Sequence, residues 1–412
     1  MKLLTVDTLG QAREKLLCRA KSLPLKRETI PLCEIQNRIP TAILAEDMYA
    51  SSDIPGFRRS VVDGYAVVAA DTAGAGEAIP VFLKPAGSVC MGKPAGFSIQ
   101  SGECGYVPTG GMLPDGADAV VMVEYCENAG RDVAVYEAVA PGAGMVLAGE
   151  DIRKGELLLR QGKALRPQEG GALAAAGITL VPVFVPLKLT LISTGDELVP
   201  PEQNPNPGEV RDMNSHALKA LAVKRGFNVV SARVLPDDEG RIEAAVREAM
   251  TASDVVVVSG GSSQGDKDTA AAVMDRAAKP GVFTHGLALK PGKPTILGWD
   301  EESRTVLAGL PGHPVAAMMV FELLLGWLND TLFNVPAPFP VPAAISCNLP
   351  GSPGRAVCQP VILRLDNGAF SAEPVFGKSG MITTLTRADG YIIIDLNKEG
   401  LKKGEPVLVH LF

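Results

Sequence analysis

The sequence is poor in the residues from which most metal and redox sites are built. Its 412 residues include four histidines and seven cysteines. No two of His216, His285, His313 and His410 have the spacing of helical metal ligands. Cys18, Cys33, Cys90, Cys104, Cys126, Cys347 and Cys358 are scattered, with no Cys-x-x-Cys pair. An odd, unpatterned set excludes a disulfide framework or zinc-finger pattern and reads as reduced thiols. No Ser/His/Asp hydrolase elbow, zincin motif or Gly-x-Gly-x-x-Gly loop is recognisable, so hydrolase and hydride-transfer chemistry start low. Cationic excess is also missing: 39 Lys and Arg face 46 Asp and Glu, a net charge of −7. That argues against a nucleic-acid or anionic-membrane binder, yet leaves room for a small anionic ligand held by local lysines. No stretch approaches the ~20 apolar residues of a membrane span. Asp7, Arg13, Glu14 and Lys15 would interrupt the apolar core of a signal peptide, so a cytoplasmic protein is expected.

What is present is ordinary globular material, 46% hydrophobic and 21% charged, in a length that suggests two to four domains. Thr5 or Thr8 would cap a first helix with Leu9, Ala12, Leu16 and Leu17 on one face. From about 51 to 144, short valine-rich strands are broken by Gly and Pro, which predicts a β-rich module. A short helix behind Pro167 leads to the VPVFVP segment at 181–186. The centre alternates strands (189–193, 227–235, 255–259, about 282–289, 305–309) with helices (215–225, 239–252, 269–278, 315–328). Such alternation makes a parallel three-layer α/β sheet. The proline cluster VPAPFPVP at 335–342 marks a linker, and the short strands beyond it predict a small β-barrel or sandwich. The expected division is therefore a mixed linking domain (1–50 and 142–186), a β-rich insert (51–141), a central α/β domain (187–332) and a C-terminal β domain (333–412).

Four loops follow strands of the central region: STGDEL (193–198), SGGSSQGDKD (259–268), LKPGKP (289–294) and GLPGHP (309–314). In an open parallel sheet, loops at the carboxyl ends of strands share one edge and line the ligand crevice. Ser193, Thr194 and Glu197 belong to the first loop. Gly260 and Gly261 clear space for a ligand, Ser262 adds a hydroxyl, and Asp268 stands where it would either serve the site or cap the next helix. Lys290 and Lys293 flank a rigid Pro-Gly turn suited to an oxyanion or phosphate. His313, alone in a tight turn, reads as structural or as a simple hydrogen-bond donor. FGKS at 376–379 is not a phosphate loop, since Ala372 stands where its first glycine is required. The set suits a phosphorylated, metal-dependent ligand.

Taken in order, SVVDGYAV, PTGGMLPDGADAVVMVE, GEDIRKGE, STGDEL, SGGSSQGDKD, LKPGKP, GLPGHPV and SGMITTLTRADG resemble the molybdopterin molybdenumtransferases. This is the MoeA family, which includes the gephyrin E domain, and the resemblance covers essentially the whole chain. It implies a four-domain homodimer with its cleft near the subunit interface. The implied reaction inserts molybdenum from molybdate into adenylylated molybdopterin with Mg²⁺, releasing AMP and finished cofactor. By motif it adds Asp63, Thr109 and Asp151 to the site, beside Glu197, Asp268, Lys290 and Lys293. Asp237 and Asp238 would join Glu197 and Asp268 at the metal, and Arg355 and Ser379 would come from the C-terminal domain. Val62 stands where many members have methionine, and Lys267 stands between the acids of the glycine loop where a neutral or aromatic residue is common. Transient contact with a molybdopterin adenylyltransferase is a further expectation. The rival readings are a tungstate-preferring version of the reaction, the adenylyltransferase itself, and a non-catalytic scaffold.

Overall fold

Val255, Val256, Val257 and Val258 leave no polar face, so the strand they form must be covered on both sides. The structure, a computed structural model, describes residues 6–35, 37–38, 42–260, 269–366 and 368–412. In its central layer we number β1 (Lys188–Thr194), α1 (Asn214–Lys224), β2 (Asn228–Leu235), α2 (Glu239–Ala252), β3 (Val255–Ser259) and α3 (Thr269–Ala277). These are followed by β4 (Pro280–His285), β5 (Ile296–Asp300), β6 (Thr305–Leu310) and α4 (Pro314–Val320). The six strands lie in the order β2-β1-β3-β6-β5-β4. The first four are parallel, and β5 and β4 close the edge as antiparallel strands. Val255 and Val257 face a core shared with Leu218 of α1 and Val315 of α4. Val256 and Val258 face Val246 of α2 and Met274 of α3 on the opposite side. That is the expected three-layer arrangement.

Two local departures from the sequence reading have a common cause. The expected strand at 282–289 ends at His285, because Gly286 turns the chain at φ +106°. Leu289–Lys290 then joins another sheet altogether, pairing with Ala356 and Val357 of the C-terminal domain. Strand β5, hidden behind the KPGKP turn, was not anticipated.

Thr8 is the cap of the first helix, Leu9–Ala20, and forms a capping box with Gln11. Ala12 and Leu16 of this helix are buried in the core beside Leu289, Trp299 and Leu324. The helical run Pro314–Leu332 has a mean hydropathy of 1.4 and is long and apolar enough to cross a membrane, against expectation. Its Phe321, Leu324, Leu325 and Leu328 are instead fully buried among Leu189 and Val255, which makes it a core helix. A π turn at Phe321–Gly326 sets Glu322 3.3 Å from Arg225, which also meets Asp330 at 2.7 Å.

The β-rich region forms a six-stranded sheet whose middle strands are Val81–Ser88 and Glu103–Val107. In the C-terminal region Ala356–Asp366 pairs with both Ala369–Pro374 and Gly390–Ile394. Val341–Ile345 and Pro406–Leu411 complete the closed barrel. Arg27–Pro31 pairs with Leu180–Phe184, so the segments on either side of the β-rich region meet in one two-stranded ladder.

Helix Pro167–Ala175 begins with an ion pair. Arg166 donates to Glu169 at 2.6 Å, and Lys163 stands 3.4 Å away. The hydrogen bond from Arg166 is the chief reason the Glu169 carboxyl is held down at about 2, from an ordinary 4.5. A depressed carboxyl stabilises the fold fully above about pH 4.5 and loses that contribution as pH falls toward 2. Glu169→Gln is therefore expected to lower the denaturation midpoint at pH 7 and to flatten its pH dependence across that acid window. An unchanged acid slope in chemical denaturation would show that the pair does not titrate with folding.

Candidate functional site

Parallel pairing sets Ser193 beside Ser259 and Ser259 beside Leu310, so the loops after β1, β3 and β6 leave the sheet together. At Gly260 the chain turns with φ +109°, and a Cβ there would lie 2.2 Å from the Thr194 carbonyl oxygen. Gly312 comes from the third loop to within 3.7 Å of the Gly260 Cα, measured from where its own Cβ would be. Glycine at these points lets three strand ends converge without a side chain between them. Beside them opens a cavity of about 780 Å³, lined by Thr194, Glu197, Asp212, Asn214, Asp237 and Gly260 among others.

Hydrogen bonds fix part of this wall and leave part unsatisfied. The hydroxyls of Ser193 and Ser215 share a 2.8 Å hydrogen bond, and Asp212 accepts from the Ser215 N–H at 3.1 Å. Ser193 therefore braces α1 against β1. Asn214 donates to Ser259 at 3.0 Å and to the Gly312 carbonyl at 2.8 Å, tying the second and third loops together. Among the described residues its Oδ1 has no partner, and neither does the buried Oγ1 of Thr194. Unpaired buried acceptors and hydroxyls are costly, and polar atoms of water or of a ligand would satisfy both.

A second cavity of about 550 Å³ adjoins the first and shares Pro294, Pro311 and His313 with it. Lys290 and Lys293 enter from the strap at 289–294, and Arg355, Lys378 and Ser379 from the C-terminal domain. The strap is stiff. The Lys293 carbonyl accepts from the N–H groups of Leu287 and Thr295, both at 2.9 Å, and Thr295 Oγ1 donates to the Gly292 carbonyl at 2.6 Å. Gly292, at φ +130°, lies against α4, where a Cβ would come within 2.7 Å of Val320 Cγ2. Cys358 also lines this cavity, but burial pushes its thiol up, so it remains protonated and is not a nucleophile. Four cationic side chains around one hollow make an anion site.

The sequence candidates separate into three groups. Ser193, Thr194, Glu197, Asp237 and Gly260 meet at the first cavity, and Lys290, Lys293, Arg355 and Ser379 at the second. Asp63, Thr109 and Asp151 line neither. Asp63 instead accepts the Thr109 N–H at 2.6 Å, and Asp151 follows Glu150, which accepts the Leu147 N–H at 2.7 Å. Gly261, Ser262 and Asp268, with Lys267, lie outside the described residues. Asp238 caps α2 through the Arg241 N–H and is not in the first cavity's wall. The cavity walls also include Asp212, Asn214 and Lys378, which sequence reasoning did not name, and His313, which it read as structural or as a simple hydrogen-bond donor. Asp212 and Asn214 follow a two-residue strand, Val210–Arg211, which carries no periodic signal.

Among the described residues no three His, Cys, Asp or Glu side chains cluster as a metal site. Glu197 and Asp237 line the same cavity and have no side-chain hydrogen-bond partner among the described residues, Glu197 folding back across the bare Gly195. Two carboxylates fit Mg²⁺ that takes its remaining oxygens from water and a phosphorylated substrate. They do not fit a self-sufficient protein cage.

Three family models match along the chain: "MoeA N-terminal region (domain I and II)" over 8–177, "Probable molybdopterin binding domain" over 190–330, and "MoeA C-terminal region (domain IV)" over 342–412. A molybdopterin molybdenumtransferase of Haemophilus influenzae is 31% identical, with 98% of each chain covered. One from Bacillus subtilis is 30% identical over 89% of this chain and 86% of its own. A crystal structure of a molybdopterin biosynthesis moeA protein from Pyrococcus horikoshii OT3 is 30% identical, covers 99% of this chain and 100% of its own, and superposes with a TM-score of 0.84.

The convergence at Gly260 makes a direct prediction. Gly260→Ala forces a Cβ onto the Thr194 carbonyl in a left-handed backbone conformation, and is expected to cost roughly 1–3 kcal/mol. Denaturant titration checks the loss; an unaltered midpoint would mean that the strand ends do not approach so closely.

Proposed function

The chain belongs to the MoeA family, and on that premise we propose that it is a molybdopterin molybdenumtransferase acting in molybdenum cofactor biosynthesis. It takes molybdate and adenylylated molybdopterin as substrates, uses Mg²⁺, and releases AMP with the metal-loaded cofactor. The observation that carries this reading is the pair of adjoining cavities, one polar and carboxylate-bearing, the other ringed by Lys290, Lys293, Arg355 and Lys378. A substrate with a heterocycle, a phosphate link and a separate oxyanion needs such a division.

In the first cavity, Asn214 Oδ1 and Thr194 Oγ1 are unpartnered atoms available to the polar edge of a ring system. Glu197 and Asp237 would hold Mg²⁺ against the phosphates. The ion, when bound, supplies neutralisation of phosphate charge as a Lewis acid. In the second cavity, the lysines and Arg355 bind molybdate and hold it at the junction, offsetting negative charge that would otherwise keep two anions apart. The prolines of the strap and of the 309–314 loop limit the freedom lost when these groups order around a ligand. A net charge of −7 over the whole chain makes the local cations necessary rather than redundant.

Asp63, Thr109 and Asp151 stand outside both cavities of their own protomer. They are assigned to the cleft of a second copy in a homodimer, which would complete the site at the subunit interface. The cytoplasm and a transient contact with a molybdopterin adenylyltransferase fit the same pathway step.

Two experiments test this reading. Purified protein mixed with adenylylated molybdopterin, Mg²⁺ and molybdate is expected to release AMP and incorporate metal, and Lys290→Ala to raise the KM for molybdate roughly tenfold. Absence of AMP release with molybdate and with tungstate alike would sink the transferase assignment, and faster turnover with tungstate would change the metal. For the dimer, Asp63→Asn and Glu197→Gln are each expected to be inactive, while a co-refolded mixture recovers about a quarter of wild-type turnover. No recovery would place both residues in the same protomer's site or outside it.

A further inference from the structure

His313 is the residue that joins the two cavities, and its chemistry has no part in the reading above. It stands in the wall of both, with Pro294 and Pro311 as the other shared residues. Proline offers no N–H donor, so among the described residues shared by the two cavities only His313 has a donor side chain. Its backbone is the start of α4, and its ring is held from across the domain boundary: Nδ1 is 2.8 Å from Ser379 Oγ. That contact is reinforced by the Val315 N–H donating to the Ser379 carbonyl at 3.1 Å. Gly380 lies beside the other edge of the ring, where a Cβ would stand in ordinary contact, 3.7 Å from Cδ2 and 3.9 Å from Nε2.

We propose that His313, positioned by Ser379, is a substrate-binding residue whose Nε2 donates to anionic oxygens on both sides of the junction: a nucleotide phosphate in the first cavity and a tetrahedral oxyanion in the second. This rests on the two-cavity reading and deepens it. With Nδ1 accepting the Ser379 hydroxyl, Nε2 carries the hydrogen of the neutral ring; when the ring is protonated, both nitrogens donate. Charge on the ring strengthens the contact, since hydrogen bonds to ionised partners are about twice as strong as neutral ones. The groups facing His313 from the second cavity are Lys290, Lys293, Arg355 and Lys378, all cationic. From the first cavity they are Arg211, Asp212, Glu197 and Asp237.

The probes are AMP alone and molybdate alone, titrated calorimetrically into the whole protein. His313→Ala is expected to weaken both roughly tenfold, whereas Lys290→Ala weakens molybdate only. His313→Gln, which keeps an N–H donor, should recover part of the affinity for both probes. Ser379→Ala should lower affinity for both probes by a smaller factor. If wild-type protein binds neither probe, the two-cavity reading itself fails. If it binds both and His313→Ala changes neither, or changes only one, the bridging role is overturned. Should His313→Ala not fold, Ser379→Ala decides: unchanged affinity for both probes refutes the proposal.

Discussion

Everything at the site depends on the hydrogen-bonded ladder that holds β1, β3 and β6 in register. Because Ser259 pairs with Ser193 on one side and with Leu310 on the other, three loops far apart in sequence begin on three adjacent strands at one level of the sheet. The register is strongly specified, since β3 is buried on both faces and a slip by one residue would exchange the two valine sets between differently shaped cores. The glycine at 260 then allows the loop backbone to close onto the Thr194 carbonyl. Without both the ladder and this bare position there would be no common wall for a ligand.

The second cavity obeys a different constraint. It is made between bodies, by a strap that leaves the central sheet at Gly286, pairs with the barrel at Leu289–Lys290, and returns at β5. Its cations come from both sides of that seam. The ring of His313 and the hydroxyl of Ser379 cross it a second time. Local charge of one sign is thereby concentrated in a chain whose overall balance is negative, which is possible only because the cationic groups are drawn from distant segments.

Much of this was legible in the amino-acid order. The valine run of β3, the alternation of helix and strand, and the proline cluster before the barrel are local signals, and the architecture followed them. The loops after β1, β3 and β6 could be placed on one edge because parallel topology dictates it. Strand β5 was lost because turn residues on its amino-terminal side masked a five-residue strand, and the strap was merged with β4 because only the conformation of Gly286 separates them. Asn214 and Asp212 were invisible for another reason. Their importance lies in what they reach, Ser259, Gly312 and Ser215, and partner identity is a tertiary fact. Lys378 was dismissed with the phosphate-loop comparison, rightly as a motif, although the side chain does stand in an anion cavity.

The seam at Leu289–Lys290 has a consequence for how such a chain can change over time. One dipeptide is at once a barrel-edge strand, a wall of the anion cavity and the exit of the central sheet. A substitution that reshapes the barrel edge is felt at Lys290, and one that retunes oxyanion preference is felt in how the barrel is seated. The two bodies therefore cannot drift apart as independently inherited modules, and a barrel borrowed from a distant relative would bring its own cavity wall with it.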